Sequence, residues 1–394
     1  MAYVAPEALQ KKVIETKLRQ EALVGDPLAN FTGSYNVLTK QIPIDSTIIT
    51  VNSSDTTRFT VGVRRALIGT GVEGRESAKG REEDLRTSEM DIYANSWGHA
   101  VPTETYGVDY VRQNAVKIYK EAQPELSRWG GQMIGMKKRQ ALNEIYSYEQ
   151  VKAPVSRTLG LNGNIYAMGA SAFAARGASL AAYVSTISTL VTTVATTPAT
   201  YRATLDNLNL LVELASTVKQ IEPMTIDGME SYLLILPMNQ WRKLFGQNAT
   251  PSSFTDLAKY DNSGKIINGI TAFKYSNLII MGDPRYSQAS SDGAGALQFS
   301  YKGPNLTPTG TNLAKVANIG YLLGKGSLYE MVNEEMHFEM DVDNYQRDKG
   351  IGMFCTKSYT LAQFLDGTGF GAGTDYSSTD FYNRNSAVIL FGND

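Results

Sequence analysis

Three glycines, Gly69, Gly71 and Gly74, spell G-x-G-x-x-G directly after the strand-like run RRALI. At that spacing a dinucleotide-binding turn brings backbone amides up to a pyrophosphate. Such chemistry needs a helix next, because its N-terminal amides hold the phosphates. Here ESAKGREEDL follows, with a fourth glycine, a crowd of carboxylates and then a second strand-like segment. The glycines are therefore read as a loop tip. GYLLGKG, from Gly320 to Gly326, lacks the G-x-x-x-x-G-K-[ST] spacing, so Lys325 is not placed for a nucleotide and a turn is expected. Cys355 with His99 or His337 would make a nucleophile and base. Cys355, however, lies in a strand-like run between Phe354 and Thr356, where a small buried thiol is the normal finding. Glu339, Asp341 and Asp343 form an acidic row with His337. Strand geometry spaces such residues about 7 Å apart, and no Gly-bearing ligand loop accompanies them. Trp97, Trp129 and Trp241 have no basic groove beside them and are read as packing residues. No catalytic, cofactor or metal residue is assigned.

Composition points the same way. The 394 residues contain 37 Lys+Arg against 39 Asp+Glu, two His, three Trp and one Cys. That balance lacks the footprint of a dedicated nucleic-acid binder, and one cysteine excludes an intramolecular disulfide framework. Charged residues are only 19%, which leaves a neutral-polar surface suited to being covered by neighbours. The start, MAYVAPEALQKKV, has no secretory pattern, so cytoplasmic synthesis is the expectation. No charge occurs from Gly177 to Tyr201, yet Ser and Thr fill 10 of those 25 positions, so a partly buried segment is expected rather than a membrane span.

The elements that would position these residues follow from periodicity. Residues 1–57 read as an extended arm: a short amphipathic helix from Pro6 to Val24, then a strand-like patch around Ile48, Ile49 and Val51, with little to close a core. Phe59, Val61 and Val63, then Met90 and Ile92, alternate with polar or small residues at strand period. Between them the tip Gly69–Arg86 carries Glu73, Arg75, Glu76, Lys79, Arg81, Glu82, Glu83, Asp84 and Arg86. It is too long for a tight turn and too charged to pack inward, so residues 58–105 read as a projecting hairpin. From about Tyr106 to Gln150 a 3.6-residue stripe that includes Leu126, Trp129, Met133 and Met136 predicts a long spine helix. Pro124 should kink or break it, and Lys137 and Lys138 suit its solvated face. Further helices are expected at Tyr201–Gln220 and Asn239–Phe245. Buried strands are expected at Tyr232–Leu236 and Leu278–Met281, surface loops from Ser287 to Asn312, and an alternating strand over 336–343. Helices and strands mix without a βαβ rhythm, so the class is α+β.

The order of these parts resembles the Hong Kong 97-type coat fold of tailed bacteriophages. The wording RRALIGTGVEGRESAKGREEDLRTSEMDIYANSWGHAV, then KIYKEAQPELSRWGGQMIGMKKRQAL, is similar to the major capsid family of crAss-like phages and N-four-like podophages. The family's features fall here on Gly69, Gly71, Glu82, Glu83, His99, Leu126 and Trp129. ESYLLILPMNQWRKL, IMGDPR and IGYLLGKGSLYEM supply its later segments. The resemblance covers roughly residues 58 to 365.

It implies an N-terminal arm (1–57), an extended hairpin loop (58–105) whose charged tip lies on a neighbour, and a peripheral domain with the spine helix (106–223). It also implies a mostly axial domain (224–330) and a return to the peripheral domain with a C-terminal segment (331–394). The chain would then assemble with itself as hexamers and pentamers in an icosahedral virion head. Its partners would be a portal protein and possible scaffold and decoration proteins. It would enclose double-stranded DNA without sequence-specific binding, with no membrane and no cofactor. Some relatives crosslink through a Lys and an Asn; Lys79 lies in the corresponding loop, but nothing marks an Asn partner. The alternatives are an encapsulin-like compartment of the same fold and, remotely, a nucleotide-binding enzyme built on Gly69–Gly74.

Overall fold

The computed structural model describes residues 28, 32–34, 48–52, 58–64, 72–73, 79, 87–104, 108–145, 160–161, 165–168, 180–218, 221–226, 229–246, 265–267, 270–284, 287–291, 297–301, 315–343, 348–361 and 385–393. In chain order, β1 (Thr32–Ser34), β2 (Ile48–Asn52), β3 (Arg58–Arg64), β4 (Thr87–Tyr93) and β5 (Ser96–Glu104) precede helix α1 (Val108–Asn143). The short strands β6 (Glu144–Ile145), β7 (Gly160–Leu161) and β8 (Ile165–Ala167) lead to α2 (Leu180–Thr196) and α3 (Leu205–Glu213). After β9 (Met224–Ile226) and β10 (Met229–Pro237) comes α4 (Met238–Gly246). Strands then follow: β11 (Lys265–Ile267), β12 (Ile270–Tyr275), β13 (Leu278–Asp283), β14 (Ser287–Ser291), β15 (Leu297–Tyr301), β16 (Lys315–Leu323), β17 (Leu328–Asp343), β18 (Asp348–Leu361) and β19 (Ser386–Gly392).

Two sheets organise the molecule. The smaller has the order β1-β2-β17-β18-β5 and is built on the long antiparallel pair β17–β18. The larger runs β11-β12-β13-β10-β16-β14-β15, with β19 and β8 joined through β16 and β9 through β10. It thus takes in 165–167 and 386–392 beside strands from 224–330. Among the described residues parallel pairs are confined to β1–β2, β2–β17, β10–β13 and β8–β19, so the α+β class expected from the sequence is the one observed.

Strand period explains how β10 serves two cores. Leu233 and Ile235 face a core shared with α1, α2 and the small sheet, while Tyr232, Leu234 and Leu236 face one capped by α3 and α4. Each buried Leu or Ile contributes roughly 1.5–3 kcal/mol, and together they hold α1 between the two sheets.

Several expectations need correction. Helix α1 ends at Asn143 rather than near Gln150, and it runs through Pro124 without a break. Pro124 is exposed and forfeits the hydrogen bond its missing N–H would make, and Ser127 Oγ donates to the Gln123 carbonyl beside it at 3.0 Å. The 36-residue helix is about 54 Å long at 1.5 Å per residue. Lys138 is not on a solvated face: it is 1% exposed, with Nζ 5.9 Å from the centre of the Tyr359 ring. The arm is not a mere drape, because Ile48, Ile49 and Val51 are buried in the small sheet. Its expected helix at 6–24 lies outside the described residues.

The helix expected from Tyr201 starts only at Leu205, where Thr204 caps it by accepting from the Asn207 amide, and it passes into a π turn at Leu214–Val218. Ser287–Asn312 is not all loop, for β14 and β15 lie within it. Their small side chains are the reason: Ser287, Ala289 and Ser291 alternate inward, and Ser291 hydrogen-bonds Ser188 of α2. In that uncharged stretch, hydroxyls of Thr189, Thr192, Thr193 and Thr196 donate one turn back to carbonyls of the same helix. No helix among the described residues is long and apolar enough to cross a membrane.

Candidate assembly surface

The hairpin is a ladder from Arg58↔Tyr93 to Arg64↔Thr87. Alternation puts Val61 and Ile92 on one face, where they are buried against Ile49, Val51, Tyr329 and Met331, with Phe59 and Ala94 packed at the margin. The root is thereby fixed on the face of the small sheet opposite α1. Two antiparallel strands, not a strand and a helix, flank Gly69–Gly74, which is the wrong frame for a pyrophosphate site. Of the tip residues singled out by sequence, Glu73 and Lys79 are described and both are exposed, as is Val72. Arg75, Glu76, Arg81, Glu82, Glu83, Asp84 and Arg86 lie outside the described residues.

Helix α1 crosses the other face. Leu126 is 1% exposed and sits in the main core, while Trp129 and Met133 are half-buried. Trp129 meets Trp97 edge-on at 6.0 Å and stacks on His99 at 4.9 Å, and Lys137 Nζ lies 5.5 Å from the Trp97 ring centre. Gly130 brings the helix close enough that an added Cβ would sit 2.6 Å from Met353 Cε. His99 therefore serves an aromatic stack and is not paired with Cys355. The His337 ring lies between Glu334 and Glu339, at 3.6 and 3.3 Å, and is more enclosed than a fully solvated row would give.

Beneath α1 lie buried ionic groups that the sequence reading missed. Arg139 Nε and Nη2 both reach Asp283 Oδ2 at 2.7 Å, and Nη1 donates to the Gly135 carbonyl at 2.6 Å. One turn on, Asn143 Nδ2 donates to the hydroxyls of Tyr321 (2.9 Å) and Tyr301 (3.3 Å), and Tyr321 donates to Ser287 Oγ at 2.9 Å. The helix is thus tied to β13, β14, β15 and β16 at once. A second cluster stands on the small sheet: Lys357 Nζ is 2.6 Å from Glu335 and 3.9 Å from Glu330, which also accepts from Tyr359 (3.0 Å) and Thr50 (3.2 Å). Thr50 is the link from the arm strand β2. The segment IMGDPR was visible in the sequence, but nothing in it marked Asp283 as the partner of an Arg 144 positions away.

Burial pushes the Cys355 thiol up to about 12, with Lys357 and Lys137 opposing weakly. Burial also pushes the Tyr321 hydroxyl well above its usual range, against the pull of Ser287, Arg139 and Asn143. At neutral pH both remain protonated, so neither acts as a nucleophile. Gly326, with φ of +60°, makes the turn between β16 and β17 in GYLLGKG, and Lys325 pairs with Glu222 at 3.4 Å. Among the described residues no group of three or more His, Cys, Asp or Glu is arranged to hold a metal ion.

The chain is similar over most of its length to solved phage capsid structures. To the capsid of Ralstonia phage GP4 it is 12% identical, with a TM-score of 0.53, covering 93% of this chain and 90% of that one. The capsid of Helicobacter pylori bacteriophage KHP30, described as acid-stable, gives 16% identity, a TM-score of 0.52 and coverage of 93% and 90%. The capsid of cyanophage Pam1 gives 14%, 0.52, 86% and 87%. The fold of this chain is therefore that of the phage capsid proteins, as the resemblance in the sequence implied. No protein-family model and no curated protein matches the sequence.

Proposed function

We propose that this chain is the major capsid subunit of a tailed bacteriophage, assembling with itself as hexamers and pentamers into the icosahedral head that encloses double-stranded DNA. The observation that carries this reading is the fold match at about nine-tenths of both chains. A small domain inserted into something else would leave much of one chain uncovered. The subunit has a structural role: its buried ionisable groups lock the helix to the sheets and perform no reaction.

In this reading the small sheet, α1 and the hairpin form the peripheral part. The large sheet forms the axial part and recruits β8, α2, α3 and β19 to it. The tip residues Glu73, Arg75, Glu76, Lys79, Arg81, Glu82, Glu83, Asp84 and Arg86 lie on a neighbouring subunit, where mixed charge sets register more than affinity. Made in the host cytoplasm, the subunit ends in the virion, with a portal protein and possible scaffold and decoration proteins as partners. Repetition around a closed shell lets each contact be modest.

Negative-stain electron microscopy of the chain expressed with any neighbouring scaffold gene tests this. Closed shells, tubes or capsomer rings are expected. A monodisperse monomer under all conditions, scaffold included, would overturn the proposal.

A further inference from the structure

Among the described residues, strand β5 is an edge of the small sheet, hydrogen-bonded to β18 alone. The register of that pair shows which of its backbone groups point away. Asn95 accepts from the Lys357 amide at 3.0 Å, and antiparallel bonding alternates from there. Trp97, His99 and Val101 therefore bond inward to Cys355, Met353 and Ile351, and the amides and carbonyls of Ser96, Gly98 and Ala100 point outward. Pro102 agrees, because a proline in a sheet is tolerated where its missing N–H would face away from the ladder. Ser96, Gly98, His99 and Ala100 are all exposed.

Natural edges are blunted by charged side chains, prolines, short length, bulges or a covering helix or loop, and here Pro102 and the shift opposite Lys349/Gly350 guard only the far end of β5. From Ser96 to Thr103 there is no Lys, Arg, Asp or Glu, and the one irregularity lies beyond Pro102, opposite Lys349/Gly350. Between Ser96 and Val101 the edge is instead braced on both faces. Trp129 and Trp97 brace it from the α1 side, and the exposed Phe354 covers Gly98 from the other, leaving no room there for a Cβ. An aromatic ring over an edge glycine restores the packing that glycine lacks. A braced, uncharged edge whose outward groups meet no strand among the described residues invites strand addition.

We propose that β5 receives an extended segment of a second copy of this chain as an added strand, bonded to the backbone of Ser96, Gly98 and Ala100. The occupant is an extended polypeptide because the row offers alternating donors and acceptors at strand spacing. It is a second copy because β5 continues from the hairpin strand β4 through Ala94 and Asn95, so the edge adjoins the surface assigned to intersubunit contact. This inference rests on the capsid reading above.

Hydrogen exchange read by mass spectrometry, comparing wild-type particles with unassembled subunit, tests it. Exchange on the order of tenfold slower in particles is expected at Gly98 and Ala100. Ala100→Pro removes one outward donor and leaves the β18 ladder intact, so it should yield folded subunit with particle formation cut by about tenfold, while Ala100→Ser assembles normally. Particles whose Gly98 and Ala100 amides exchange as in free subunit would overturn the added strand and leave the capsid reading standing. So would normal assembly of folded Ala100→Pro. If Ala100→Pro does not fold, the wild-type exchange decides. A wild-type chain that never assembles takes both readings down together.

Discussion

The hairpin root and the junction of α1 with the large sheet are both fully buried, but they are held by opposite kinds of interaction. At the root, Val61 and Ile92 meet Ile49, Val51, Tyr329 and Met331, all apolar. Such burial is strong and non-directional: it keeps the hairpin on the sheet while leaving the aim of its tip to be set by whatever the tip meets. At the junction, Arg139, Asp283, Asn143, Tyr321 and Ser287 form directed bonds in a buried site. Directed bonds admit one register of helix on sheet, and each becomes costly once its partner is removed. The molecule places its specific contacts where two sheets must not slip, and its tolerant contacts where a projecting arm begins.

The sharpest way to break this contrast is Asp283→Ala. Leaving the Arg139 guanidinium buried without its carboxylate should cost about 3–5 kcal/mol in denaturant unfolding, whereas a double replacement of Arg139 and Asp283 by apolar residues of similar volume should recover most of it. If the single variant loses less than about 1 kcal/mol, the junction is not the lock described here. Ile92→Ala should cost about 2–4 kcal/mol, and much of the loss should appear as local release: protease cutting within 65–86 rises before the subunit unfolds globally.

Alkaline titration separates the regions by pH. Cys355 and Tyr321 have raised folded values, so the stability they lend is fully present below their unfolded values, about 9.0 and 10.0. It is lost as pH rises above those values towards the folded ones, with the thiol lost towards about 12. Unfolding midpoints should fall across that window, and Tyr321→Phe should flatten the fall. Thiol reagents at pH 8 should label Cys355 only when denaturant is added. Smallest of all, Glu73→Ala and Lys79→Ala should move subunit stability by no more than about 0.5 kcal/mol, because both side chains are exposed, while any effect on assembly registers in particle yield.

Much of this architecture was legible before the fold was known. Val61 and Ile92 announced the hairpin by strand period, Leu126 the buried face of the helix, and Tyr232–Leu236 a buried strand. Legibility failed where side-chain type stopped reporting burial. Ser287, Ala289 and Ser291 looked like loop because small polar residues carry no hydrophobic signal, yet hydroxyl pairing with Ser188 makes them core. Lys138 looked solvated because charge usually is, yet it is buried beside the Tyr359 ring; the buried pair of Arg139 and Asp283 carried no sequence signal at all. Periodicity also gave no way to see that β5 is an edge.

Local rules, alternation, helical stripes and glycine at the Gly326 turn, follow from bonds between near neighbours, so the sequence alone determined the elements, their class and the order that resembles a coat protein. Which charges are buried, which small strands join the large sheet, and which backbone is left open at Ser96, Gly98 and Ala100 depend on partners up to hundreds of residues away. Only tertiary packing decided these, because burial and pairing are properties of what surrounds a residue and not of the residue itself.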